Sequence, residues 1–145
     1  MKLGLDFHGV ITDNASFFSM MSSLVLSEDS GEVHIITGAR KEMFLKQCKE
    51  LNLKPEYTHF FSISDYHIEK GTDVDLSDPD FPKMDSDIWD IAKAEYCKTF
   101  EIDLMVDDSP HYGEHFTTPY MLYRNELNND MFKYDVIKKI RKRTT

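Results

Sequence analysis

Three short apolar runs in this 145-residue chain each end on side chains suited to handling a phosphoryl group. Leu3-Gly4-Leu5 leads into Asp6 and His8, Val33 to Ile36 leads into Thr37 and Gly38, and Leu104 to Val106 leads into Asp107 and Asp108. Phosphoryl transfer through a carboxylate needs a nucleophile, a cation against the phosphate oxygens, donors for the remaining oxygens and a group that protonates the leaving oxygen. Each requirement has a candidate. Asp6 is the expected nucleophile and a magnesium ligand, Asp107 completes an oxygen shell of the kind Mg²⁺ prefers, and Asp108 ligates the ion or orients a water. Thr37 offers its hydroxyl to a phosphate oxygen, Gly38 lets the backbone approach closely, and Lys93 brings a compact positive charge to nucleophile and phosphate. Gly9 permits a sharp departure from the first run.

The elements that must position these residues follow from hydrophobic period. Apolar runs at 2–5, 32–36, 59–63, 104–106 and 120–123 read as short buried strands. Between them, Phe17, Phe18, Met21, Leu24 and Val25 recur at helical spacing with Ser30-Gly31 as a stop, and Met43, Phe44, Cys48 and Leu51 mark a second helix. Residues 88–100 carry a third through Ile91, Ala92, Tyr96 and Cys97, and 131–142 a terminal amphipathic helix with Phe132, Val136, Ile137 and Ile140 inward. An irregular acidic insertion is expected over about 65–87, punctuated by Gly71, Pro79 and Pro82 and partly covering the site. Strands alternating with helices predict one α/β domain over 1–145, with a mostly parallel sheet covered on both faces. Ligands of such sheets bind beyond the strands' carboxyl ends, where the polar groups fall.

The segment Asp6-Phe7-His8-Gly9-Val10-Ile11-Thr12-Asp13 resembles the first motif of the haloacid dehalogenase-like superfamily, DxDGTxxD or a near variant. Ile35-Ile36-Thr37-Gly38 is similar to its second motif and Val106-Asp107-Asp108-Ser109 to its fourth, in the same order. Lys93, in Ala92-Lys93-Ala94-Glu95-Tyr96-Cys97, resembles the motif lysine of small capless members related to deoxynucleotidases, with Lys83 as the alternative. The resemblance implies a Rossmann-like three-layer sandwich of about five parallel strands. It also implies Mg²⁺-dependent hydrolysis of a small phosphate ester, a nucleotide among the options, through an aspartyl-phosphate. The departure is His8, standing where the family's phosphatases carry an acid/base aspartate. The metal contact there is normally a backbone carbonyl, which histidine still supplies, so His8 joins Asp6, Asp107 and Asp108 as a metal-binding position. Imidazole is a competent acid and base near neutral pH. Two outcomes stay open: an enzyme with His8 in the proton-transfer role, or a degenerate module that binds metal and phosphate without efficient turnover.

Composition narrows the alternatives. A net charge of −9 argues against non-specific attraction to nucleic acid, and the basic run 138–143 reads as a solvated helix end favoured by the macrodipole. The two cysteines, Cys48 and Cys97, lie in helical segments and make neither a disulfide framework nor a zinc site. Asp6 and His8 interrupt any leader-like apolar stretch, so a cytoplasmic protein without membrane spans is expected. The Asp73-to-Asp78 stretch lacks the glycine and distal glutamate of an EF-hand loop, and no GxGxxG follows the first strand. His34, His59, His67, His111 and His115 are expected to be structural or exposed, and Arg40 to contact substrate or pair with a carboxylate.

Overall fold

The computed structural model describes residues 1–124 and 129–144; the inward placement expected for Phe132 and the Arg143 end of the basic run lie outside the described side chains. Five strands, β1 (Lys2–Leu5), β2 (Glu32–Thr37), β3 (His59–Ser62), β4 (Leu104–Asp107) and β5 (Tyr120–Leu122), form one sheet in the order β3-β2-β1-β4-β5. Every neighbouring pair is parallel, as expected of strands joined by helical crossovers. The helices are α1 (Ala15–Leu26), α2 (Lys41–Glu50), α3 (Ile63–Lys70), α4 (Ser86–Thr99) and α5 (Asn129–Thr144). The parallel sheet is the one the strand–helix alternation predicts, and the fold is of the Rossmann-like α/β class.

Alternation along the strands divides the core in two. Leu3, Leu5, Val33, Ile35, Leu104 and Val106 face α1, α2 and α5, where Phe18, Met21, Phe44, Val136 and Ile140 close the larger cluster. Ile36 and Met105 face the other way and meet Tyr96 and Cys97 of α4. Gly4 lies on that second face of β1, where a β-carbon would come within 2.9 Å of the Met105 and Ile36 side chains, so glycine leaves room for the neighbouring strands' side chains to meet over β1.

Two boundaries differ from the sequence reading. The stretch expected to be irregular from residue 65 is helical as far as Lys70. Ser62 caps this helix α3 by accepting from the Asp65 N–H, Asp65 sits favourably in its first turn, and Gly71 ends it at φ +84°. The acidic residues there are helix punctuation, and the irregular part is confined to 72–85, where Asp75 and Lys83 pair in an isolated antiparallel bridge. Helix α1 stops at Leu26, before the expected Ser30-Gly31 signal, because the Ser27 hydroxyl donates to the Leu24 carbonyl at 2.6 Å and closes the last turn early. No helix among the described residues is long and apolar enough to cross a membrane.

Candidate functional site

The strand order reverses direction about β1: the chain winds outward through β2 and β3, then returns to β4 on the other side. The carboxyl ends of β1 and β4 therefore flank the switch point at which open α/β sheets bind ligands. Asp6 follows β1 directly, with its backbone N–H donating to the Val106 carbonyl at 3.0 Å, and Asp107 closes β4. Both side chains are buried. From α4, the buried Lys93 ammonium reaches Asp107 Oδ2 at 2.7 Å and Asp6 Oδ1 at 3.1 Å. Asp6 Oδ1 also accepts from the Phe7 N–H at 2.9 Å, so two donors fix the orientation of this carboxylate. Lys93, rather than Lys83, is the lysine at the carboxylates; Lys83 is exposed on the loop across the cavity.

Opposing electrostatic influences at this centre leave Asp6 with a pKa raised to about 7. Burial raises the Asp6 pKa well above the carboxylate range, Lys93 pulls it back, and Asp107 and Asp108 push it up again. Burial alone would lower Lys93, but attraction to Asp6 and Asp107 outweighs it and holds the ammonium above an ordinary lysine. Asp108 is raised by burial first and by Asp107 second. Asp6, Asp107 and Asp108 each present a carboxylate oxygen within 4.8 Å of the others. An all-oxygen set of this kind fits Mg²⁺, and its fit is reinforced by Gly9: at φ +77°, a β-carbon there would lie 2.0 Å from Asp108 Oδ2. Glycine at position 9 thus leaves Asp108 room to turn inward.

Asp6, His8, Thr37, Gly38, Lys93, Asp107 and Asp108 all line one cavity of about 470 Å³. Thr37 is buried at the end of β2, its Oγ1 accepting from the Ala39 N–H at 3.3 Å. His8 is exposed, and its Nε2 lies 2.5 Å from Gln47 Oε1 on α2. Arg40 turns to Asp65 at 2.9 Å, the carboxylate alternative of the two expected for it. The Asp13 carboxylate accepts from the Tyr123 hydroxyl.

Sequence reasoning missed the wall facing the carboxylates. Trp89, one turn before Lys93 on the same face of α4, packs over Gly38, where a β-carbon would come within 2.4 Å of the indole. The Trp89 Nε1–H donates to the Tyr112 hydroxyl at 2.7 Å, and the Tyr112 ring lies 5.2 Å from the Lys93 ammonium. Phe81 and Pro82 of the 72–85 loop complete this side, so the loop does border the cavity. The single tryptophan four residues before the motif lysine was the signal available.

Fold and site together define a Rossmann-like α/β protein with a buried carboxylate–lysine centre at the sheet's switch point. Comparison of the chain with family models, with curated proteins and with solved structures gave no match.

Proposed function

We propose that this chain is a magnesium-dependent phosphomonoesterase of the haloacid dehalogenase-like type, acting on a small phosphate ester, nucleotides included, through Asp6. The observation that carries the reading is the single ammonium of Lys93 shared by Asp6 and Asp107, with Asp108 close enough to join them around one ion. Asp6, Asp107, Asp108 and the His8 carbonyl would hold the cation. Magnesium, when bound, neutralises phosphate oxygens as charge shifts to the leaving group.

The chain's own residues account for the rest. A carboxylate oxygen of Asp6 bonds to phosphorus as the bond to the ester oxygen breaks, and His8 gives that oxygen its proton. Neutral again, His8 takes a proton from the water that attacks phosphorus; the bond to Asp6 breaks, and carboxylate and inorganic phosphate result. Lys93 holds Asp6 oriented and offsets charge on the phosphoryl oxygens, while the Thr37 hydroxyl and the backbone at Gly38 donate to them. Trp89 and Tyr112 wall that side of the cavity.

A second reading is favoured by one observation: His8 is exposed and engaged by Gln47. If that contact holds it away from the leaving oxygen, the centre binds metal and phosphate without turnover. A screen of phosphate esters with and without Mg²⁺, run on wild type, Asp6→Asn and His8→Asp, separates the two. Turnover lost in Asp6→Asn and on chelation supports the enzyme. A silent wild type awakened by His8→Asp supports the binding module, and metal-independent turnover that survives Asp6→Asn overturns both.

A further inference from the structure

A second group of ligating side chains lies at the other end of the sheet. Parallel register sets His34 of β2 beside His59 of β3, and strand alternation places Glu32 on the same face as His34. Glu32 Oε1 is 2.9 Å from His34 Nε2 and 3.6 Å from His59 Nδ1, and all three residues offer a donor atom within 4.8 Å of one another. The cluster is at the amino-terminal ends of β2 and β3 and shares no residue with the carboxylate–lysine centre.

We propose that Glu32, His34 and His59 bind a zinc-class divalent ion that pins the edge strand β3 to β2. Two imidazoles and one carboxylate are the donor set of zinc sites that keep a fourth position for water. Ligands about 2.0–2.1 Å from a tetrahedral ion stand roughly 3.3–3.4 Å apart. The separations of 2.9 and 3.6 Å bracket that value before any ion has drawn the groups together. The nitrogen donors set the site apart from the all-oxygen centre and disfavour Mg²⁺.

The surroundings match what a ligating imidazole requires. The Tyr96 hydroxyl of α4 contacts His34 Nδ1 at 2.7 Å, fixing the ring from its non-ligating side. The two rings now stack, with centroids 4.1 Å apart and planes 5° from parallel. Lone pairs lie in the ring plane, so one ring must turn to share an ion. His59, its side chain 44% exposed, is the ring with room to turn, exchanging its Nδ1 contact with the Thr58 hydroxyl at 2.8 Å for the ion. Both rings then ligate as neutral tautomers, His34 keeping its proton on Nδ1 against Tyr96 and His59 keeping its own on Nε2 towards solvent.

The test is calorimetric titration of the metal-free chain with Zn²⁺ in excess Mg²⁺, which occupies the carboxylate centre, together with the visible spectrum of the Co²⁺ form. One tightly held ion per chain is expected, with a Co²⁺ spectrum of tetrahedral nitrogen–oxygen ligation. The surface variant His59→Ala is expected to weaken binding by about 100-fold, and Tyr96→Phe, which removes only the orienting hydroxyl, by about tenfold. Phosphate-ester turnover in Mg²⁺ is expected to be unchanged by His59→Ala, so this site stands or falls apart from the proposed activity. No Zn²⁺ uptake, uptake that Mg²⁺ suppresses, or uptake indifferent to His59→Ala overturns the proposal.

Discussion

Replacing Lys93 by methionine keeps the length of the side chain and removes its charge, which isolates the electrostatics of the carboxylate centre. At 2.7 and 3.1 Å from Asp107 and Asp6, the ammonium contributes about 5–6 kcal/mol of attraction to each at an effective dielectric constant near 20. Desolvation of the lysine offsets most of this, and removing one partner of a buried pair costs about 3–5 kcal/mol net. Losing the ammonium removes the attraction that lowers Asp6, so its pKa, already raised by burial to about 7, rises further. The sign follows directly. A carboxyl whose folded pKa lies above its unfolded value takes up a proton on folding, so the stability it contributes is lost as pH rises through the folded pKa. The deficit of Lys93→Met relative to wild type should therefore be smallest below about pH 7, where Asp6 is protonated in both chains, and grow as pH rises above it, read from urea midpoints at constant m-value. Mg²⁺ should recover more stability in the variant than in wild type, because the ion then meets two carboxylates with no ammonium between them. A deficit that is flat with pH, or that grows towards acid, would refute the reasoning.

Three further expectations follow from the same geometry. Gly9→Ala should lower turnover by about 100-fold and stability by about 1–3 kcal/mol, since the new β-carbon meets Asp108 and the residue must hold a positive φ; kinetics and denaturation check both. His67 is buried on α3, and burial, then Lys70, lower its pKa, so the unfolded chain binds the extra proton. Stability should fall as pH drops below about 6.5, and His67→Asn should flatten that part of the pH–stability curve. The Cys97 thiol is fully buried and burial pushes its pKa up to about 12, so alkylation of the native chain at mildly alkaline pH should track unfolding; fast native labelling would contradict that packing.

Legibility in the sequence followed how local each cause is. The ends of β1 and β4 could be read because a strand buried on both faces is nearly continuously apolar and stops at a polar residue, here Asp6 and Asp107, and the end of β2 because Ile35-Ile36 runs directly into Thr37-Gly38. Helix α3 was hidden because only Ile63, Ser64 and His67 of its eight residues are buried, too few to show a helical period against the carboxylates around it. The aromatic wall was hidden for another reason: Trp89 and Tyr112 meet only once α4 packs against the loop after β4. Likewise, nothing within Glu32, His34 or His59 announces their meeting. It depends on the register of two parallel strands joined by a long crossover, which period alone does not specify.

Charge at the switch point connects the centre to its proposed use. When ionised, Asp6, Asp107 and Asp108 outweigh Lys93 by two negative charges, so a phosphate dianion approaching them alone meets repulsion in a site where water screens little. A divalent cation cancels that excess, and only then can Thr37, the Gly38 backbone and Lys93 hold the phosphoryl oxygens. Metal dependence is therefore the more basic part of the reading, and it constrains phosphate binding whether or not His8 transfers a proton. Inorganic phosphate should bind measurably with Mg²⁺ and lose most of its affinity without it, in wild type and His8→Ala alike. Tight, metal-free phosphate binding would mean that the carboxylates stay protonated or turn away, and the nucleophile assigned to Asp6 would go with them.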